Sequence, residues 1–396
     1  MLNRDNLRVG IVANEFFDKK IGRLGGFGWA AQRAAEVFRN HPKCNIAPFF
    51  FTSDRVEISD TRSLSINGTP FILLNGSRLK NMAKLLPKRI DILLTIDYRE
   101  KYRAIFNALP FTPIITWVRD PRSPDDIKKM MSLRIPGKEA ILPGGISDNP
   151  TGQLAGYSKK SLLYKRQVIL ANKMPHMRSV NRTVYDLPES DFILPNPSIV
   201  NYQATAVKKS ERPSIIYLGR LDPIKRPWIF FKLAENFPKY DFYLLGKNHF
   251  EGDDGWNFDE VPENLHITGH ISGSEKYELL SKAWVLVNTS INEESPVSIM
   301  EAFAYETPAI SFEDWGDLVK NRGIVIGQRN GTGLDGLSDL SNALETLITD
   351  HKLRKSYGKE ARRYVEENHN DETFLSAFRE ICLACGIKKA AKAITV

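Results

Sequence analysis

The chain has 396 residues, of which 42% are hydrophobic and 26% charged, which is typical of a globular protein with two ordinary domains. No apolar run approaches the roughly 20 residues of a membrane span, and residues 1–5 do not resemble a signal peptide. Cys382 and Cys385 have metal-ligand spacing, but no second pair or histidine cluster completes a site, so we interpret them as buried helical thiols. We therefore expect a cytoplasmic protein.

The net charge of +8 suggests an anionic partner. The chain contains no familiar nucleic-acid-binding motif, so we expect no nucleic acid. Basic residues are dense between positions 78 and 103, where they alternate with leucine and tyrosine. This pattern is compatible with a solvated basic face or with peripheral contact with the anionic inner face of a membrane.

The first half of the chain alternates apolar, β-branched runs with polar segments, which is typical of an α/β domain. Predicted strands cover residues 7–13, 46–51, 71–74, 90–96, 113–118 and 167–171. A glycine-rich loop, residues 22–28, precedes a helix through about Phe38 and lets the backbone approach a ligand closely. The spacing of Gly26, Gly28 and Ala31 matches the dinucleotide fingerprint only weakly, because the glycines lie well past the strand.

Charged side chains follow two of these strands. Asp97 comes after the strand at 90–96, and Arg119 and Asp120 come directly after the strand at 113–118. Parallel sheets bind ligands at the carboxyl ends of their strands. We therefore treat these three residues as candidate ligand contacts, with caps, turns or salt bridges as the structural alternative.

The alternation restarts after a polar linker, and we place the domain boundary near residue 205. A strand at 214–218 leads into Gly219 and Arg220, and Lys225 follows five residues later. The planar fork of an arginine and the point charge of a lysine can both reach one diphosphate. The next strand, at 241–245, ends at Gly246.

The stretch 284–310 reads as strand, acidic loop, helix and strand. Ser295 is suited to the N-cap and Pro296 to the first helical position, which leaves the amides of Val297 and Ser298 at the helix end. Such amides form an anion site. Glu293 and Glu301 can face one cleft here and accept hydrogen bonds from sugar hydroxyls.

Two motifs carry a family resemblance: Glu293-x7-Glu301, with Thr307-Pro308 behind it, and Gly219-Arg220-x4-Lys225. They resemble the donor site of family 4 retaining glycosyltransferases of the GT-B fold, also called glycosyltransferases group 1. The resemblance is strong over about residues 213–370, and before that it rests mostly on the order of elements.

The resemblance implies two Rossmann-like domains whose parallel sheets face a central cleft. Residues 1–205 would bind the acceptor, with Asp97, Arg119 and Asp120 as its candidate contacts. Residues 206–370 would bind the nucleotide sugar, and helix-forming residues 371–396 would cross back to the first domain. The donor would be a nucleotide diphosphate sugar, UDP- or GDP-linked, and the acceptor a saccharide or a lipid-linked acceptor. The resemblance implies no metal and no cofactor.

Roles carry over to matching positions only. Arg220 and Lys225 would neutralise the leaving diphosphate, with Glu293 orienting the transferred sugar and Glu301 holding the ribose hydroxyls. The remaining donor contacts implied by the resemblance are Gly25, Gly26, Gly219, Gly246, Ser295, Val297 and Ser298. The chain departs from the family at Arg119, where members have histidine, and at residues 294–296, Glu-Ser-Pro, where members have Gly-Phe-Gly.

Three other functions remain open from the sequence. A nucleotide-sugar 2-epimerase uses the same fold and needs no acceptor. The fingerprint at Gly26 leaves an NAD-dependent oxidoreductase as a hypothesis, which binding of NAD would support. The departures from the family pattern allow a non-catalytic binding subunit that keeps the GT-B fold.

Overall fold

The structure is a computed structural model that describes residues 6–13, 26–53, 64–96, 102–119, 122–137, 168–179, 189–190, 192–197, 207–250 and 260–396. The described residues form two compact units. One lies within Met1–Ser123, Asn149–Ser198 and His369–Val396, and the other within Pro124–Asp148 and Ile199–Asn368. Each unit is built around one sheet.

The strands are short and mostly buried. They are β1 Leu7–Val12, β2 Ile46–Thr52, β3 Ser65–Ile66, β4 Thr69–Leu73, β5 Ile92–Thr95, β6 Ile114–Val118, β7 Val168–Asn172, β8 Phe192–Ile193, β9 Ser214–Leu218, β10 Asp241–Leu245, β11 Leu265–Gly269, β12 Val285–Asn288, β13 Ala309–Ser311 and β14 Gly323–Val325. The helices are α1 Gly26–Asn40, α2 Arg78–Leu85, α3 Arg103–Ala108, α4 Pro124–Ser132, α5 Pro227–Asn236, α6 Gly273–Lys282, α7 Val297–Phe303, α8 Leu337–Thr349, α9 His351–Asn368, α10 Asp371–Ala384 and α11 Ala390–Ala393.

Within the described residues, the first unit has the strand order β3-β4-β2-β1-β5-β6-β7-β8. Strand β3 pairs with β4 in an antiparallel hairpin, and the other neighbours are parallel. Every residue of β1 and β2 is buried. Continuous burial is expected of central parallel strands, because helices cover both faces of such a sheet.

The second unit has the parallel strand order β11-β10-β9-β12-β13-β14 in its described part. The strands that follow β9 in the chain, β10 and β11, therefore lie on one side of it. The strands that follow β12, which are β13 and β14, lie on the opposite side of the sheet. The crevice between β9 and β12 is the topological switch point, where doubly wound sheets bind ligands. The predicted two-domain parallel α/β fold is confirmed.

The core of the first unit also contains α10. Phe374 and Phe378 on α10 pack against Phe38 of α1 at ring-centroid distances of 5.5 and 4.7 Å, and Phe374 lies 5.7 Å from Trp117 of β6. Arg33 pairs with Asp371 at 2.8 Å, at the start of α10. Cys382 and Cys385 are buried here, as predicted for helical core thiols.

A segment that begins at Pro124 belongs to the second unit, although the sequence analysis placed it in the first domain. Leu133 and Ile135 join the buried core of the second unit, and Lys129 on α4 bonds Glu313 at 3.0 Å. Nothing in the sequence pattern indicated that this segment packs in the second unit, because apolar residues do not specify which core they enter. The predicted boundary near residue 205 falls outside the described residues and stays a prediction.

The sequence analysis did not predict β11, and it also missed β3, β8 and β14, which have two or three residues each. Runs this short carry no measurable period. None of the helices formed by the described residues is both long and apolar enough to cross a membrane.

Candidate functional site

Two loops meet at the switch point of the second sheet. One follows β9 and carries Gly219 to Lys225, and the other follows β12 and carries Glu293. Strands β9 and β12 are adjacent and parallel, so both loops leave the same edge of the sheet. The topology therefore brings together three predicted site residues, Arg220, Lys225 and Glu293.

Backbone and side-chain hydrogen bonds tie the two loops together. The Ile291 amide donates to the Ile224 carbonyl at 2.9 Å, and the Thr289 hydroxyl donates to the Lys225 carbonyl at 2.6 Å. Because each bond joins one loop to the other, the position of Lys225 relative to Glu293 is determined by the fold.

Arg226, which the sequence analysis did not single out, makes the largest number of the described side-chain hydrogen bonds between these loops. Its guanidinium is fully buried, donates to the carbonyls of Thr289 at 2.9 Å and Ser290 at 3.3 Å, and lies 4.7 Å over the Phe312 ring. A third bond reaches the Arg329 carbonyl at 2.8 Å. Burial lowers the pKa of Arg226 to about 10, so it remains a cation at neutral pH. It holds both loops in place.

Lys225 and Glu293 form a largely buried ion pair, with 19% and 13% of their side chains exposed. The Ser290 hydroxyl donates to Glu293 Oε1 at 2.9 Å, and Asn288 Nδ2 lies 3.5 Å from the same oxygen. Burial by itself raises the pKa of Glu293, but the Lys225 charge and these hydrogen bonds outweigh it and lower the pKa below its ordinary value. Glu293 is therefore a carboxylate at neutral pH.

Arg220 lies beside this pair and is more open. Its guanidinium is 54% exposed and pairs with Asp222 at 3.2 Å. Asp222 also caps the turn that carries Lys225, since its carboxylate accepts from the Lys225 amide at 3.1 Å. The Tyr217 hydroxyl donates to the Arg220 carbonyl at 3.0 Å. Arg220 thus has a positioned backbone and an accessible charge.

Gly246 and Gly219 are in direct contact where β10 and β9 end. A Cβ on Gly246 would lie 1.7 Å from the Gly219 carbonyl oxygen, a distance that no side chain can adopt. The Gly219 amide donates to the Leu245 carbonyl at 3.0 Å. Gly246 is required so that the loop carrying Arg220 can approach the end of β10.

The helix after the acidic loop, α7, begins one residue later than predicted. Pro296 occupies the cap position with an extended backbone (φ −70°, ψ 108°), and Ser295 does not cap the helix. The first helical bonds are donated by Ile299 and Met300 to the Pro296 carbonyl. The amides of Val297 and Ser298 precede these bonds, as expected for a helix end.

Glu301 is 6% exposed, in contrast to an ordinary surface glutamate of a helix. Its carboxylate bonds the Lys276 ammonium of α6 at 2.7 Å. Lys276 was missed by the sequence analysis. The apolar neighbours of Glu301 were the available signal, because a glutamate in such a setting requires a partner cation.

Replacing Lys276 with methionine should destabilise the protein by about 3 kcal/mol, because the Glu301 carboxylate would stay buried without its ion partner. Urea unfolding measures the change. The double variant Lys276→Met/Glu301→Gln should recover most of the loss. Lys232→Met removes the exposed pair with Glu235 and should cost less than about 1 kcal/mol. Equal losses in both single variants would contradict the structural role of Lys276.

The first unit contains the other predicted site residues. Gly26 is exposed and is the first residue of α1. Arg119 is only 3% exposed, stacks 4.4 Å over the Trp117 ring and donates to Asn196 Oδ1 at 2.8 Å. Burial lowers its pKa to about 9. These contacts give Arg119 a packing role inside the unit, and its predicted acceptor contact is not supported by its burial. Gly25, Asp97 and Asp120 lie outside the described residues.

No group of three or more His, Cys, Asp or Glu side chains in the described part of the chain is arranged to hold a metal ion. Besides the buried Arg226, the groups gathered at the switch point include the cations Arg220 and Lys225, two carboxylates, the Ser290 hydroxyl and the Asn288 amide. Such a set can bind an anion and hydroxyl groups side by side.

The part of the chain that carries these residues matches a known family model. Residues 201–364 match the family model described as glycosyl transferases group 1. A curated relative, glycosyltransferase 1 domain-containing protein 1 of Xenopus tropicalis, is 22% identical over 176 residues, a match that covers 44% of this chain and 44% of the relative's length.

Two solved structures share the fold over nearly the whole chain. Sucrose-phosphate synthase from Thermosynechococcus elongatus superposes with a TM-score of 0.67 at 15% identity and covers 96% of this chain and 99% of its own. Anabaena HepE in complex with UDP-glucose has a TM-score of 0.63 at 13% identity, with 96% and 100% coverage. The fold is GT-B.

The chain thus has the GT-B fold. The match to the glycosyl transferases group 1 family lies in residues 201–364, which are less than half of the chain.

Proposed function

We propose that the protein is a retaining glycosyltransferase that moves a sugar from a nucleotide diphosphate sugar to a hydroxyl of a saccharide or lipid-linked acceptor. It would do so without a metal ion or other cofactor. The three free cysteines support a reducing compartment, and the cytoplasm is part of the proposal.

The observation that carries the proposal is the pairing of Lys225 with Glu293 at the switch point, beside the exposed guanidinium of Arg220. A diphosphate is an anion that needs preorganised cations, and a sugar needs acceptors for its hydroxyls. Within the described residues, Lys225, Asn288 and Ser290 all bond Oε1 of Glu293, so Oε2 is the oxygen that would accept from a sugar hydroxyl.

In the proposed reaction the bond between the anomeric carbon and the diphosphate oxygen breaks, and a bond to the acceptor oxygen forms on the same face of the sugar. The acceptor proton passes to the departing phosphate oxygen. Charge grows on the diphosphate as it leaves, and Arg220 and Lys225 would stabilise that charge. Glu293 would hold the sugar, and Glu301 would accept from the ribose hydroxyls.

The donor is proposed to be a UDP- or GDP-sugar. Anabaena HepE is described in complex with UDP-glucose and shares the fold, which makes UDP the first nucleotide to test. The acceptor class is proposed from the family resemblance. In that family the first domain contacts the acceptor, and in this chain the first domain resembles the family mostly in the order of its elements.

A thermal-shift panel of UDP, GDP, ADP, dTDP and NAD tests the donor site. A ligand at about 100 times its dissociation constant adds about 2.7 kcal/mol of stability, which gives a measurable shift. We expect UDP or GDP to stabilise the protein and Arg220→Met to reduce that shift. Stabilisation by NAD alone would refute the proposal, and stabilisation by none of the five would favour a non-catalytic protein. NMR of the anomeric proton in the product then tests retention.

A further inference from the structure

The first unit exposes large apolar side chains on helix α2 and on the turns that follow α2 and its neighbour α3. Leu79 is 77% exposed, Leu86 65% and Phe111 96%. Elsewhere among the described residues the exposed large apolar side chains reach at most 42%, at Val261. Exposure of this degree at several neighbouring positions is unusual for a surface that faces only water.

Helix α2 exposes apolar side chains because its other side packs inward. Asn81 and Leu85 are fully buried, whereas Leu79 and Ala83 are exposed and Leu86 follows in the turn after the helix. Positions 79, 83 and 86 are four and three residues apart, so they form one stripe along the helix. The stripe is short, apolar and turned away from the core.

Phe111 belongs to the same part of the unit. It follows α3, and Arg78 at the start of α2 donates to the carbonyl of Asn107 in α3 at 3.1 Å. This bond places the beginning of α2 beside the end of α3. The α2 stripe and Phe111 together are called the apolar face below.

Basic residues border the apolar face. Lys80 and Lys84, one turn apart, lie beside the stripe on the exposed side of α2, and Arg78, Lys88 and Arg89 stand at its two ends. The sequence contains no carboxylate between positions 64 and 90. A partner of this face must therefore accept apolar groups and offer negative charge together.

We propose that the apolar face of the first unit lies on an anionic lipid bilayer. Leu79, Leu86 and Phe111 would enter the boundary between headgroups and acyl chains, and Lys80 and Lys84 would contact lipid phosphates. An amphipathic helix with a basic flank binds such a surface through apolar burial and electrostatic attraction together. The face would hold the protein at a membrane without crossing it.

Vesicle flotation tests this surface without any donor or acceptor, so its outcome is independent of the proposed transferase activity. We expect the protein to float with phosphatidylcholine vesicles that contain phosphatidylglycerol, and to remain unbound with phosphatidylcholine alone. Each of Lys80→Gln and Lys84→Gln should weaken binding about fivefold and reduce its dependence on salt.

The triple variant Leu79→Ser/Leu86→Ser/Phe111→Ser should lose binding to the anionic vesicles by at least about tenfold. The matched control is Val261→Ser/Ile267→Ser in the second unit, where the exposures are 42% and 41%, and it should bind as the original chain does. Urea unfolding verifies that each variant folds. Absence of binding by the original chain, or unchanged binding by the triple variant, would overturn the proposal and assign the face to a protein partner or a second copy.

Discussion

Replacing Lys225 with methionine should lower kcat/KM for the true donor by roughly 100-fold or more. Lys225 is, with Arg220, one of the two cations proposed to contact the diphosphate, and removal of one preorganised charge from a site of developing charge typically costs this much. Steady-state kinetics with the nucleotide sugar identified by the thermal-shift panel measures the loss.

The same variant should also lose stability, by about 3 kcal/mol at neutral pH, because Glu293 would remain as a buried carboxylate without its ion partner. In the original chain the pKa of Glu293 is lowered, so its stabilisation is present above the ordinary carboxyl value and is lost as pH falls through the lowered folded pKa. In the variant burial dominates and raises that pKa, so stability falls as pH rises.

The difference in unfolding free energy between the two proteins should therefore be larger at about pH 8 than at about pH 5. Urea unfolding at both pH values measures it. A matched control is Arg220→Met, which removes a half-exposed guanidinium. It should lower turnover with little change in stability. If Lys225→Met has the same unfolding free energy as the original chain at both pH values, the ion pair does not contribute to stability.

Replacing Gly246 with alanine should cost about 3 kcal/mol or more of stability and weaken nucleotide binding. The new Cβ would lie 1.7 Å from the Gly219 carbonyl oxygen, and backbone atoms must move because no flexible side chain can yield. The movement would displace the loop that carries Arg220 and Lys225. Urea unfolding and nucleotide titration give the two readouts.

Gly219→Ala is the matched control for stability. Its Cβ would meet the Tyr217 ring at 3.7 Å, which is an ordinary van der Waals contact. We expect a loss below about 1 kcal/mol, so the two alanine variants separate backbone contact from the mere presence of a methyl group. Equal midpoints for Gly246→Ala and the original chain would show that β9 and β10 can separate without cost.

The predicted strands of the second unit, such as those at 214–218 and 241–245, correspond to β9 and β10 because each is a buried apolar run between turn residues. The family resemblance assigned Arg220, Lys225 and Glu293 to a candidate donor site, and their places after predicted strands indicated that they would lie together. Residues that follow parallel strands are brought to one edge of the sheet, so linear order carries spatial information.

Other parts of the site are not local. The contacts of Arg226 and Lys276, and the assignment of α4 to the second unit, depend on which surfaces pack together. Neither the residue type nor the hydrophobic period specifies that packing. Lys225 was predicted as a cation for turnover alone. The loss of stability expected on its removal follows only from the structure, in which Lys225 is buried against Glu293.

The sequence by itself determined the alternating α/β plan, the positions of most strands along the chain and the residue types that the switch point presents, because hydrophobic period and turn chemistry act over short distances. Only the tertiary structure decided which charges pair, which glycine is indispensable and which apolar side chains stay exposed. Those properties depend on distances between residues far apart in the chain, such as Gly219 and Gly246 or Lys276 and Glu301.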